Sequence, residues 1–519
     1  MAEYPALVRA MFDPSFYPHP VDKVELVQTQ MSFVFLAGEY VYKVKKPVNL
    51  GYLDYTTLEK RRFFCGQEIE LNRRLAHDVY LAVLPITATG AGFSLGGQGP
   101  PVEYTVKMRR LPPERMMNVL LPAGQITVEM VGRLSEKLAR FHEKAMTNSE
   151  ISAFGSLESI RVNIDENFSQ TVKYRGVSIE AADYDRIRAF TEDFVASKAA
   201  LFGERLRGGR IRDCHGDLHA AHICFTDGIQ IYDCIEFNER FRYCDVASEI
   251  AFLAMDLDRY DRGDLSREFV DAYISASSDA AIQQLLPFYK CYRAYVRGKV
   301  ESFKLDDPYI SIEEKQKTLG IARGYFSLAR RYTMTEPVLL ITAGLMGTGK
   351  TTIAEAVGRK TGAIVISSDV VRKRLAGIRP GERHYEAFEN GIYSADFTRK
   401  TYDALYAEAA RLLAQGRSVI LDASFKKRNE RLRAAEVAVK AGARFMVVEC
   451  VLDEATVRER LRKRVLDGTS ASDGREEILG AQKADFDTIA EFSKTSHIVV
   501  ETSRPPGDIA NLIVEKAWQ

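Results

Sequence analysis

Residues 344–351 read Gly-Leu-Met-Gly-Thr-Gly-Lys-Thr, which is the spacing G-x-x-x-x-G-K-[ST]. The chemistry available to that spacing is the grip on a nucleotide's phosphates. Glycines let successive backbone N–H groups converge on phosphate oxygens, and the N-terminus of a following helix adds its positive dipole end. Gly344, Gly347, Thr348, Gly349, Lys350, Thr351 and Thr352 are therefore the candidate nucleotide-binding residues. Lys350 would reach the phosphates, and the Thr351 hydroxyl would hold Mg²⁺.

Four carboxylates and three arginines extend the set. Asp369 and Arg372, spaced D-x-x-R, follow the apolar run 363–366. An aspartate at a strand's carboxyl end can accept the proton of an attacking hydroxyl. An arginine one helical turn on points the same way and can hold an anionic group bidentately. Asp422 ends another apolar run, 418–421, as a Walker B-like aspartate that would hold the Mg²⁺ water shell. Arg460 and Arg464, four apart on a basic helical stretch, suit a lid closing on a triphosphate, and residues 467–474 read as the lid loop. Far upstream, His215-Gly216-Asp217 and Tyr232-Asp233 form a second cluster, accompanied by His219 and His222.

The elements that must position these residues are legible as patterns. Five apolar runs, 338–341, 363–366, 418–421, 445–451 and 497–500, alternate with helical stretches, as βαβ units with a parallel sheet do. In the first part, 25–30, 32–36, 40–45 and 102–108 read as strands, and 90–101 reads as a Gly/Pro loop. Strand alternation sets Val41, Lys43 and Lys45 on one face and Tyr42 and Val44 on the other. Thr127 caps an amphipathic helix to about residue 145, with Val131, Leu134, Leu138 and Phe141 at helical spacing. A helix is expected over 184–206, and Asp245 is expected to cap the helix after it.

Composition sets bounds. The 519 residues carry 72 Lys and Arg against 71 Asp and Glu, so no global charge argues for nucleic acid or a membrane surface. No apolar run approaches the ~18–20 residues of a membrane span. No signal peptide is visible, which places the protein in the cytoplasm by expectation. Seven cysteines occur without a C-x-x-C pair, and read as buried free thiols. A zinc site joining Cys214, Cys224, Cys234 and Cys244 to His215, His219 and His222 is the sharper alternative.

Two resemblances rest on these motifs. His215-Gly216-Asp217 followed by Asp233 resembles the catalytic and metal-binding segments of aminoglycoside phosphotransferase-like small-molecule kinases, which are protein-kinase-like in fold. It covers roughly residues 25–305. It implies that Asp217 is the catalytic base or hydroxyl-orienting carboxylate, that Asp233 is a Mg²⁺ ligand, and that Lys43 meets the α/β-phosphates. Glu68 would pair with Lys43, with Lys45 and Glu70 as fallbacks, and the hinge would fall near 108–111. The family's asparagine position is His222 here, so Mn²⁺ is an alternative to Mg²⁺ at that metal position. Residues 337–519 resemble P-loop kinases of the polynucleotide kinase, gluconate kinase and zeta-toxin-like group. The order of the two halves resembles bacterial proteins that fuse these domains.

The resemblances imply two domains of mixed α/β and α+β class. Residues 1–332 would form a bilobal kinase-like fold, with a β-rich small lobe to about 110 and a helical lobe to 332. Residues 333–336 would link it to a P-loop α/β/α sandwich with a five-stranded parallel sheet at 337–519. The expected function is a bifunctional ATP-dependent phosphotransferase acting on small molecules. Two alternatives stand beside it. One is a nucleotide-switched regulatory ATPase whose N-terminal domain is a degenerate pseudokinase marked by His222. The other is a nucleic-acid 5′-hydroxyl kinase using the basic cluster Arg372, Lys373, Arg374, Arg379 and Arg383. Only Tyr385 and Phe388 interleave that cluster, a thin stacking platform for a single strand.

Overall fold

The computed structural model describes residues 4–90, 92–307, 310–379, 391–467 and 479–518. It divides into two compact units, residues 1–256 with 268–329, and residues 257–267 with 330–519. Of the basic and aromatic residues Arg379, Arg383, Tyr385 and Phe388, only Arg379 among these four is described, and of the expected lid loop 467–474 only Asp467; the others lie outside the described residues. The Arg464 side chain also lies outside the described set.

The N-terminal unit begins with an antiparallel sheet. Its strands lie in the spatial order Val24–Gln28, Ser32–Ala37, Tyr40–Lys45, Pro101–Arg109, Tyr80–Thr89, Gly92–Leu95. The expected alternation along Tyr40–Lys45 holds: Tyr42 and Val44 pack with Phe35 and Ile86, whereas Val41 packs with Cys65, Ile69 and Val106. The helix Leu58–Asn72 covers that second face, capped by the Thr57 hydroxyl, which accepts from the Lys60 N–H at 3.3 Å. Residues 90–101 are not simply a loop, because they contain the strand Gly92–Leu95, paired with Tyr80–Thr89 in a hairpin. The Gly and Pro content there marks the turns at each end of a short edge strand.

The rest of this unit is helical. Val128–Lys144 runs as expected, with the Thr127 hydroxyl accepting from the Met130 N–H at 3.2 Å. The expected helix over 184–206 is two helices, Ala181–Ser197 and Ala199–Arg207, separated at Lys198. Asp245 caps the next helix through the Ala247 N–H at 2.8 Å and also pairs with the buried Arg205. Short hairpins and loops between these helices carry residues 211–245.

The second unit holds a five-stranded parallel sheet in the order Ile364–Ser367, Val419–Asp422, Val338–Ala343, Arg444–Val451, His497–Glu501. All five sequence runs become these strands. The central strand Val338–Ala343 is buried throughout. Its residues alternate between two cores: Leu339 and Ile341 pack with Tyr402, Leu405 and Phe425, and Val338 and Leu340 pack with Ile353, Val357 and Ile513. Each such side chain contributes about 1.5–3 kcal/mol, which pins the strand whose end launches the 344–351 loop. Among the described residues no helix is long and apolar enough to cross a membrane.

Candidate active sites

In the N-terminal unit the sheet and the helix Leu58–Asn72 bring Lys43 and Glu68 together. The Lys43 ammonium is 2.8 Å from Glu68 Oε1 and 2.8 Å from Asp233 Oδ1. Burial alone would lower the Lys43 pKa, but Asp233 and then Glu68 hold it well above the usual lysine range. Burial would likewise raise Asp233, and Lys43 carries it below the usual carboxylate range instead. Lys45, two residues on, is fully buried. It pairs with Glu68 at 2.7 Å and with Glu236, whose carboxylate also accepts from the Tyr55 hydroxyl at 2.6 Å. Of the two fallbacks, Lys45 is thus a core ion pair, and Glu70 lies exposed on the outer face of the helix.

Gly216 takes φ +87°, and a Cβ there would lie 2.9 Å from the Phe241 carbonyl oxygen, so the tight turn into Asp217 requires glycine. Glu249 fixes that turn. Its Oε1 accepts from the N–H groups of His215 at 2.8 Å and Gly216 at 2.6 Å, and its Oε2 meets His142 Nε2 at 2.6 Å. Burial would raise the Glu249 pKa, but the His142 bond and charge bring it down to about 2. Asp217 has two imidazoles near its carboxylate: His219 Nε2 and His222 Nδ1, each 3.5 Å from Oδ2. Against the penalty of burial, the His219 charge leads in holding Asp217 well below the carboxylate range. His219 is raised, its own burial being outweighed by Asp217. Burial and the neighbouring His219 lower His222 to about 4, so it is neutral at pH 7.

Asp233 stands at φ +63°, an uncommon left-handed position for a non-glycine residue. Its N–H donates to the Tyr80 hydroxyl at 3.1 Å, and the Cys234 N–H donates to Asn72 Oδ1 at 2.8 Å. The helix Ile282–Phe303 lies along the same loop. Arg293 there donates to the Gly216 carbonyl at 3.4 Å, and Arg297, one turn later, stacks on Tyr325 and adds positive charge near Asp217. The cysteine-based zinc set is not assembled. Cys224 faces the Pro112 carbonyl, Cys234 meets Arg74, and Cys214 faces the Cys244 carbonyl. All seven thiols are free, six buried and Cys244 half-buried.

In the second unit the loop 344–351 joins the central strand to the helix Lys350–Thr361. Gly344, Gly347 and Gly349 all have positive φ, and a Cβ at Gly344 would come 2.5 Å from the Cys450 carbonyl oxygen. Lys350 donates to the Leu345 carbonyl at 2.8 Å. The Thr351 hydroxyl donates to Asp422 Oδ2 at 2.7 Å, so the two expected Mg²⁺ residues adjoin one another. Thr348 is buried within the loop, and its hydroxyl donates to the Leu345 carbonyl at 2.7 Å. Thr352 follows in the first turn of the helix and is exposed. Hydroxyl and carboxylate oxygens are hard donors that fit Mg²⁺. The N-terminal pair of His222 and Asp233 does not share that character, because imidazole suits later first-row ions better.

Sheet register sets Ser367 beside Asp422, so Asp369 in the first turn of Ser368–Leu375 stands at the same sheet edge as the loop. Arg372 is buried. Its Nη1 donates to the Ile392 carbonyl at 2.6 Å and to Thr398 at 3.1 Å, and the guanidinium stacks on Tyr393. It therefore ties its helix to residues 391–398. Arg460 lies over the loop, with Nη2 donating to the Thr502 carbonyl at 3.0 Å, and a Cβ at Gly349 would meet its Nη1 at 3.4 Å. Val457 and Leu461 of the same helix bury against Leu345 and Met346.

Two loop contacts lay beyond sequence reasoning. The Thr502 hydroxyl donates to the Thr348 carbonyl at 2.7 Å, and Gln482 Oε1 accepts from the Met346 N–H at 2.8 Å. Glu249, Glu236 and Tyr55 were likewise unmarked, because nothing in their local sequence signals a partner 30 or more residues away.

Fold and sites together define a two-unit protein, a protein-kinase-like unit followed by a P-loop unit. The AAA domain family model matches residues 339–489. The chain belongs to the family of the Mycobacterium tuberculosis uncharacterized protein Rv2004c. It is 32% identical to that protein over 477 residues, covering 91% of this chain and 93% of the relative. The Mycobacterium bovis uncharacterized protein Mb2027c matches with the same identity and coverage.

Among solved structures, a choline/ethanolamine kinase family protein from Mesorhizobium loti is 14% identical. That match covers 63% of this chain and 98% of the other, with a TM-score of 0.38. A gluconokinase from Sinorhizobium meliloti is 19% identical, over 36% of this chain and 93% of the other, with a TM-score of 0.26.

Proposed function

We propose that the protein is a bifunctional ATP-dependent phosphotransferase with one transfer site in each unit. The observation that carries this reading is the Lys43 ammonium held 2.8 Å from both Glu68 and Asp233, in a unit joined by sequence to a complete phosphate-binding loop.

In the second unit, ATP is the phosphoryl donor. The backbone N–H groups of 344–351 and Lys350 hold its phosphates, and Arg460 offsets charge on the transferring group. Thr351 and Asp422 would hold Mg²⁺, which supplies charge neutralisation at the β- and γ-phosphate oxygens. Asp369 accepts the proton of an acceptor hydroxyl, whose oxygen bonds to the γ-phosphorus as the bond to ADP breaks. Arg372 supports this geometry by fixing the helix that carries Asp369.

In the first unit, Lys43 contacts the α/β-phosphates, with Glu68 orienting it. Asp217 is ionised at pH 7 and orients the acceptor hydroxyl, and the Glu249 contacts keep its turn rigid. Catalysis in both units is positioning and electrostatics. The acceptor classes are small hydroxylated molecules. A nucleic-acid end is disfavoured by the near-neutral charge, 72 basic against 71 acidic residues. The test is transfer of labelled γ-phosphate over a panel of metabolites and oligonucleotides, with Lys350→Ala and Asp217→Asn assigning each activity to its unit. Tight ATP binding with no transfer to any acceptor would favour the regulatory ATPase instead.

A further inference from the structure

The helix Leu157–Thr171 carries a polar stripe beside its apolar one. Asn163, Glu166, Asn167 and Gln170 recur at i, i+3, i+4 and i+7, so they share one face. That face meets Arg240, on the short helix Glu239–Arg242, and Lys299, on the helix Ile282–Phe303. Arg240 Nε donates to Asn163 Oδ1 at 2.7 Å, and its Nη2 pairs with Glu166. Lys299 donates to Asn167 Oδ1 at 2.6 Å and to Gln170 Oε1 at 2.9 Å. Both of those partners are neutral amide oxygens. The seam therefore sets two cations, Arg240 and Lys299, against one carboxylate, Glu166. Burial lowers the Lys299 pKa to about 8, with Glu166 opposing the shift and Arg240 adding to it. The ammonium stays charged at pH 7, in a setting where an added anion stabilises it.

Packing does not require this seam. Phe168 and Tyr295 already join the same two helices, with ring centroids 4.6 Å apart. The seam also opens to solvent, since the Arg240 and Glu166 side chains keep 34% and 41% of their surface exposed. Two contacts tie it to the turn that presents Asp217. The Phe241 carbonyl, one residue past Arg240, is the oxygen that a Cβ at Gly216 would meet. Arg293, on the helix of Lys299, donates to the Gly216 carbonyl. From Arg293 to Lys299 that helix rises about 9 Å, which is the length of a small metabolite.

We propose that Lys299 and Arg240 hold an anionic group of the acceptor in the N-terminal unit. The substrate class is then a hydroxylated carboxylate or phosphate ester, and the same charge disfavours amines. The inference rests on the reading of Asp217 as the carboxylate that orients an acceptor hydroxyl, and it deepens that reading by naming the acceptor's charge.

The experiment uses the full chain saturated with ADP and two charge-matched series of probes. One is glycerate, glycerol phosphate, glycerol and aminopropanediol. The other is gluconate, glucose phosphate, glucose and glucosamine. Binding is read by ligand-observed NMR. The expected result is binding of anionic members ahead of the neutral and amino members, and the carboxylate and phosphate arms identify which anion is held. Lys299→Met and Lys299→Gln should weaken that binding by about ten- to a hundred-fold. Glu166→Gln removes the competing carboxylate and should tighten it by about two- to five-fold, the scale of one half-exposed charge. A damaged fold cannot produce that gain, and the ranking in the unmodified protein depends on no variant. Preference for neutral or amino members would overturn the inference. So would absence of anion binding, or anion binding unchanged in both Lys299 variants.

Transfer assays on the same probes in Lys350→Ala separate the two ideas. Asp217-dependent transfer to neutral or amino members, with no effect of Lys299→Gln on acceptor KM, would sink the acceptor inference alone. Lys299-dependent anion binding without any Asp217-dependent transfer would sink the kinase reading alone.

Discussion

Glu249 Oε1 accepts the Gly216 N–H at 2.6 Å, which makes a buried carboxylate on one helix the clamp for the turn that presents Asp217. Replacing it by glutamine keeps the shape and removes the charge. Glu249→Gln should lower the turnover of the N-terminal activity with little change in its nucleotide KM, since the clamp touches no substrate. Its folded pKa, about 2, lies below the unfolded value of about 4.3. The group therefore contributes stability that is present above pH ~4.3 and lost as pH falls toward ~2. Calorimetric scans should show the unmodified protein losing stability across that window more steeply than Glu249→Gln. A parallel pair of curves would count against the clamp's charge.

Lys43 and Lys45 should part company on mutation. Lys45 is the buried partner of Glu68 and Glu236, and removing one member of a buried pair costs about 3–5 kcal/mol. Lys45→Met should lower the unfolding midpoint of the N-terminal unit markedly. Lys43→Met should leave that midpoint nearer its original value and abolish the unit's phosphoryl transfer. Denaturation monitored alongside the transfer assay reads both effects, and the reverse pattern would exchange the two roles.

Thr502 anchors the phosphate loop through the Thr348 carbonyl. Thr502→Val keeps the volume and deletes the donor, leaving a buried carbonyl short of a partner at a cost of about 1–3 kcal/mol. Nucleotide affinity of the second unit, read by calorimetry, should weaken by about five- to a hundred-fold. Thr502→Ser should retain it. Unchanged affinity in Thr502→Val would mean the loop holds its shape unaided.

Legibility in the sequence followed the range of the interactions. Residues 344–351 were readable because spacing alone encodes a loop with three positive-φ glycines. The five strands of the second unit were readable because a parallel sheet buried on both faces leaves continuous apolar runs. Lys43, Glu68, Asp217 and Asp233 came from the family resemblance, and the structure brings Lys43 within reach of Glu68 and Asp233. The hairpin Tyr80–Thr89 with Gly92–Leu95 was missed because its glycine-rich turn outweighed a four-residue edge strand. Thr502, Gln482 and Glu249 were missed for a different reason. Their partners are 154, 136 and 33 residues away in the chain, and no local periodicity encodes a contact at that distance.

The central claim is two independent transfer sites on one chain. Its most direct measurement is labelled γ-phosphate transfer by the unmodified protein, Lys350→Ala, Asp217→Asn and the double variant, on the acceptors each unit accepts. The account predicts that Lys350→Ala removes one activity and spares the other, that Asp217→Asn does the converse, and that the double variant has neither. Loss of both activities in either single variant, or loss of neither in the double variant, would contradict it.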